Sequence, residues 1–183
     1  MNCITRLLGL ACVAMAATAT AAAATVADKP ADVQAQWQAQ TFDISYNGFT
    51  TRYSCSGLED KVGQFLRLYG ARKDLRVHAS ACDMEPGRLS RFARVKGEFH
   101  VLVPASDPAA AGVVTARWQP LELRASRPFE MGEGDCELFE QLRPVLEKNF
   151  TQREAHYVAR CFPNQEVLGS WQVTAQVLRA VQP

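Results

Sequence analysis

Two stretches of the chain switch from a helical to a strand-like spacing of apolar residues, and each switch is bracketed by cysteines. In the first, Leu58, Val62, Phe65, Leu66 and Tyr69 recur at the 3.6-residue period with Asp60, Lys61, Gln64 and Arg67 opposite, which predicts an amphipathic helix over residues 56–69. Ser56 and Glu59 stand at capping-box spacing at its start, and Gly70 offers a left-handed stop at its end. After the polar turn Arg72-Lys73-Asp74 the period falls to two. Leu75, Val77, Ala79 and Ala81 alternate with Arg76, His78, Ser80 and Cys82, as in a half-buried strand. The plan returns between Cys136 and Cys161: Leu138, Leu142, Val145 and Leu146 form the stripe of a helix over residues 136–150, Asp135 can cap it, and a strand follows over residues 154–161. Pro144 falls inside that stripe and is expected to kink or split the helix.

The flanking pattern completes two similar halves. Residues 25–40 are polar with a lone Trp37 and predict a tether or loose helix. Phe42, Ile44 and Tyr46 then alternate up to Asn47-Gly48, a hairpin signal that predicts a return strand over residues 50–55. A long strand is expected over residues 91–103, a linker over 104–112, and a strand or strand pair over 113–125 in which Pro120 marks an edge or bulge. The last strand spans residues 170–181. The fold class is therefore α+β: two tandem βαββ repeats, residues 41–103 and 113–183, sharing one antiparallel sheet with two helices on one face. One domain is expected, because either half alone would have a thin core.

The N-terminus changes how the cysteines are interpreted. Met1 to Arg6 is a short basic segment, an alanine-rich uncharged run follows, and small residues offer cleavage after Ala24 or Ala27, so residues 1–24 are expected to be a secretory signal peptide. Cys12 fits a lipoprotein site only loosely, and no other stretch has the length of a membrane span. Export leaves Cys55, Cys82, Cys136 and Cys161 in an oxidising compartment, periplasmic or secreted. Three pairings are possible, and the internal repeat selects Cys55 with Cys82 and Cys136 with Cys161. Each bridge is worth about 3 to 4 kcal/mol in chain-entropy terms. Removing Arg6 reduces the 20 basic residues to 19 against 19 acidic ones, a balance that argues against a general nucleic-acid binder.

Candidate chemistry is sparse. The strand phases put Arg76, His78, Arg94, Lys96, His100, His156 and Arg160 on the sheet face away from the helices, with Glu98, Gln172, Thr174 and Gln176. That face leans basic and suits a small anionic or saccharide ligand, or an envelope protein partner. Its three histidines raise a metal-handling alternative, although no HxH or HxxxH spacing joins two of them. No GxSxG elbow and no CxxC occurs, so a hydrolase is possible only through residues that meet in three dimensions, and no cofactor is implied. Trp37, Trp118 and Trp171 are candidates for a stacking platform, with Trp171 in the apolar phase of its strand.

The run Tyr53-Ser54-Cys55-Ser56-Gly57-Leu58-Glu59-Asp60-Lys61-Val62, with Leu68-Tyr69-Gly70-Ala71-Arg72 and Cys82 beyond it, resembles a group of exported proteobacterial proteins of unknown function. The resemblance implies a periplasmic setting and brings no ligand or catalytic residue with it. The sequence thus predicts an exported, disulfide-stapled binding or envelope-accessory protein.

Overall fold

Polar alternation builds the first element. Gln34, Gln36, Gln38 and Gln40 interleave with Val33, Ala35, Trp37 and Ala39, and this run continues into Phe42, Ile44 and Tyr46 as a single strand, β1 (Asp32–Asn47). The expected tether is thus half strand: glutamine-rich alternation is the pattern of a sheet with one wet face, not of a loose helix. The computed structural model describes residues 31–82 and 89–181. The signal-peptide reading, its cleavage points and the start of the tether lie outside the described residues, as does the turn over 83–88.

The remaining elements are α1 (Cys55–Leu68), β2 (Arg76–Ser80), β3 (Phe92–Pro104), β4 (Val114–Arg124), α2 (Cys136–Asn149), β5 (Gln152–Ala159) and β6 (Trp171–Ala180). They form an α+β fold with one antiparallel six-stranded sheet, in the order β2-β3-β1-β4-β6-β5, and two disulfides, Cys55–Cys82 and Cys136–Cys161. Each bridge ties the first residue of a helix to the chain just beyond the following strand. Among the described residues no helix is long and apolar enough to cross a membrane.

Both helices sink their stripes into one core. Leu58, Val62, Phe65 and Leu66 of α1 and Leu138, Phe139, Leu142 and Leu146 of α2 are all at most 1% exposed. Phe65 packs at 5.8 Å from Trp171 and 6.0 Å from Phe139, so the helices meet each other over β6. Fully burying such a side chain stabilises by about 1.5 to 3 kcal/mol.

Four local expectations are corrected. The N-cap of α1 is Ser54, whose hydroxyl accepts from Gly57 N at 3.1 Å, rather than Ser56. Glu59 instead crosses to the sheet edge and accepts from Ala79 N at 2.8 Å, occupying a backbone donor of edge strand β2 that an intruding strand would use. Asn47-Gly48 makes no hairpin: Glu137 of α2 accepts from Phe49 N and Thr50 N at 2.8 and 2.9 Å, pulling the chain off the sheet, and β1 pairs with β3 instead. Asp135 makes no side-chain cap on α2; it is 4% exposed and accepts from Lys61 Nζ, Tyr53 Oη and Gly132 N at 2.8, 2.6 and 2.7 Å. Finally, α2 runs unbroken through Pro144. Pro144 and Glu140 both lie on the exposed face, where water can satisfy the carbonyl that a proline leaves free.

The two halves of the sheet meet through a short overlap. β1 and β4 pair only over Asp32↔Arg117, Val33↔Ala116, Gln34↔Thr115 and Ala35↔Val114. Pro120 lies past the end of this ladder, where one flank of β4 has no strand neighbour. Val33-Gln34-Ala35-Gln36-Trp37 and Val114-Thr115-Ala116-Arg117-Trp118 are the same V-x-A-x-W pattern, laid antiparallel on itself about the Gln34–Thr115 rung. Ala35, Ala116, Leu102 and Leu178, 0 to 3% exposed, form a second small core here with Trp37 and Trp118 packed against it.

Two outcomes follow from this packing. Cys55→Ser should lower stability by about 2 to 5 kcal/mol in urea denaturation without reductant. Gly97 lies under the Phe42 ring, and a Cβ there would sit 2.1 Å from its Cε1. Gly97→Ala should therefore cost about 1 to 3 kcal/mol, and a double-mutant cycle with Phe42→Leu should recover most of that loss.

Candidate functional site

The sheet face named from strand phase is present but divided. Arg76, His78, Arg94 and Lys96 stand in the β2–β3 ladder, where Arg76 faces Glu98 and His78 faces Lys96. Arg76, His78 and Lys96 come together around a shallow hollow of about 340 Å³. Arg94 is engaged: its Nε and Nη2 donate to Asp43 at 2.8 and 2.7 Å. His156 and Arg160 belong to the other half, His156 opposite Thr174 in β5–β6 and Arg160 bonded through its backbone to Ser170. His78 and His156 lie on the two opposite edge strands, five strand spacings of about 4.8 Å apart. The three imidazoles are therefore not brought together; His78 Nδ1 is 3.2 Å from Glu59, and His100 Nδ1 accepts from Arg72 at 3.0 Å. Among the described residues no group of three His, Cys, Asp or Glu side chains is placed to hold a metal ion. Of the buried serines, Ser90 donates to the Phe92 carbonyl and Ser170 Oγ has no partner among the described residues.

The concentration of charge lies elsewhere, in a cleft of about 670 Å³ between the end of α1, the start of β4 and the end of β6. Arg72, Lys73, Arg117 and Arg179 line it, no carboxylate among the described residues does, and Trp37 forms part of its wall. Local structure explains how these groups meet. Gly70, at φ +101°, ends α1 against β6; a Cβ there would come within 3.2 Å of the Leu178 carbonyl, so the approach requires glycine. Arg117 and Arg179 are directly opposite each other in the β4–β6 ladder. Like charges on one rung destabilise a sheet, because their Cβ atoms are only about 5 Å apart.

The four cations are not equivalent. Arg72 donates twice to Asp74, at 2.9 and 2.7 Å, and its guanidinium lies 5.6 Å over the Trp37 ring. That pairing holds the Asp74 carboxyl below the usual carboxylate range. Arg117 gives Nε and Nη2 to one oxygen of Asp32, at 2.8 and 2.5 Å, and keeps Nη1 for other use. Arg179 donates through Nη2 to the Leu68 carbonyl at the end of α1, while its Nε is buried without a partner among the described residues. Burial lowers its pKa, yet a guanidinium remains charged at any physiological pH. Two opposed guanidinium groups repel each other unless an anion is shared between them. The arrangement can therefore bind an anionic group through fixed N–H donors.

A second polar network, around Asp135, is structural. Lys61, Tyr53 and the Gly132 amide saturate its carboxylate and tie α1 to the turn before α2. Burial, with the Asp135 charge next, pushes the Tyr53 phenol well above its ordinary pKa, so it stays a hydrogen-bond donor.

Of the cleft residues only Trp37 was singled out from sequence, as a stacking candidate; its cationic lining was not. The signal available was Arg117 and Arg179 at apolar-adjacent positions of two strands, and seeing them as one rung required the β4–β6 register.

One titration tests the sheet face. The Arg94 hydrogen bonds hold the Asp43 carboxyl below its usual range against an opposing desolvation effect. The folded chain thus binds this proton more weakly than the unfolded chain, and the stabilisation is present above about pH 4 and lost as pH falls through the folded value. A carbon-detected titration should place the Asp43 midpoint below that of aspartate in a peptide, and Arg94→Met should raise it.

No family model matches this chain, and no curated protein and no solved structure matches it either.

Proposed function

We propose that this chain is an exported, disulfide-stapled binding module of the bacterial envelope that holds a small anionic ligand in the cleft beneath Gly70. The observation that carries this reading is the Arg117–Arg179 rung, two guanidinium groups on adjacent strands that line one cleft. The two disulfides fit an oxidising compartment, and the resemblance of the Tyr53–Val62 motif to exported proteobacterial proteins points the same way.

The repeat reading strengthens the case. The element order strand–helix–strand–strand runs twice, Cys55 and Cys136 stand at the same spacing as Trp37 and Trp118, and we infer a duplicated βαββ unit. On that spacing Arg117 corresponds to Gln36, and the place that Arg179 takes opposite Arg117 in the β4–β6 ladder is taken by Val103 opposite Gln36 in the β1–β3 ladder. The same backbone position is thus neutral in one half and doubly cationic in the other. The fold does not need the charge there, and a ligand does.

Calorimetric titration with citrate and with inorganic phosphate at low salt tests this. Binding should weaken at least about tenfold in Arg179→Gln and weaken with added salt. Undetectable binding, or affinity unchanged in Arg179→Gln, would refute the anion reading.

A further inference from the structure

The cleft joins two unlike surfaces. Arg117, Arg179 and Lys73 supply the charge, and Trp37, Ala71 and Ala180 supply an apolar wall. Its volume, about 670 Å³, falls in the range of sites for organic molecules and far exceeds what an inorganic anion fills. A lone anion would leave the apolar wall facing water.

Trp37 stands in a glutamine-rich segment, half-buried, and its ring is held in place from one side by Arg72. Arg72 is itself locked by Asp74 and His100, so the stack is preorganised and needs no reordering when a ligand arrives. The other tryptophan of the repeated motif behaves differently: Trp118 is covered by Arg153 at 4.0 Å and does not line the cleft. Trp37 therefore differs from Trp118 in the way Arg117 and Arg179 differ from Gln36 and Val103: one copy of the motif is opened to a ligand and the other is closed.

We infer that the ligand is a planar, aromatic organic anion, its acidic group bonded by Arg179, Lys73 and the free Nη1 of Arg117 and its ring lying against Trp37. This rests on the anion reading of the cleft and goes beyond it by fixing the chemistry of the ligand's body. Aromatic stacking on a held indole favours a flat ring over a puckered one of equal charge.

The test uses a matched pair of probes, phthalate and cis-cyclohexane-1,2-dicarboxylate, titrated calorimetrically into the mature protein. They carry the same two carboxylates, and the cyclohexane ring is the more apolar, so a preference for phthalate reports planarity and not greasiness. Phthalate should bind about tenfold more tightly, the preference should vanish in Trp37→Leu, and it should survive in Trp37→Phe and in Trp118→Leu. Equal affinity for the two probes, or a preference that persists in Trp37→Leu, would overturn the inference. If both probes bind equally and both are lost in Arg179→Gln, the anion site stands and the aromatic assignment fails. If neither binds, both fall.

Discussion

The structure depends on four rungs of backbone pairing. Asp32 to Ala35 and Val114 to Arg117 join two three-stranded halves into one sheet, and a ladder this short has little stability of its own. Small side chains make it hold. Ala35 and Ala116 leave room for Leu102 and Leu178 to close over the joint, and Trp37 and Trp118, each partly buried, pack around it. Register is fixed by the same packing. A slip of one residue would put Gln34 or Gln36 where Ala35 sits and drive an amide into the small core.

That joint also positions the cleft. Arg117 ends the β1–β4 ladder opposite Asp32 and faces Arg179 across β4–β6, while Trp37 lies two residues beyond the ladder's other end on β1. The chain can tolerate opposed arginines here because its stabilising devices lie at the other end. Both disulfides secure helix N-termini, and the Asp135 network and Glu137 fasten the loops beside them. The C-terminal end of α1 is hydrogen-bonded by its own last turn and by Arg179, with Gly70 close against β6 and Tyr69 packed on Phe150. Local rules are broken where a ligand is inferred and kept where the fold is pinned, which is the usual division between function and stability.

Much of this was legible from period alone. The stripe Leu58 to Tyr69 is a helix whose apolar positions are all buried, and the cysteine framework pairs as the symmetry of the halves required. Residues 32–40 were misread because their hydrophobic members are small or isolated: Ala35 and Ala39 carry little apolar weight, although the alternation with glutamine was present. The V-x-A-x-W pair was visible as well, and its meaning needed the register that places each copy on the other. The candidate face drawn from strand phase followed the correct alternation but could not show that Asp43 already occupies Arg94, or that His156 belongs to the far edge. Charge pairing between strands is set by register, and register is settled by packing over the whole sheet.

The contrast between the halves explains why the cationic cleft lies beside Trp37 and not beside Trp118. After α2 the chain turns into β5 through residues 150–151 alone, and Arg153 arrives directly over Trp118 at 4.0 Å, sealing that indole under a cation. After α1 the longer connection over residues 69–75 swings outward from Gly70 before β2 begins, and its arginine reaches Trp37 only at 5.6 Å. Asp74 and His100 then draw the Arg72 head toward β3. The added turn thus holds the indole from one side and leaves space on the other, bounded by β4 and β6. Two halves with the same element order thus differ at their surfaces in the length of one loop and the charge of one rung, and neither difference touches the packing that joins them.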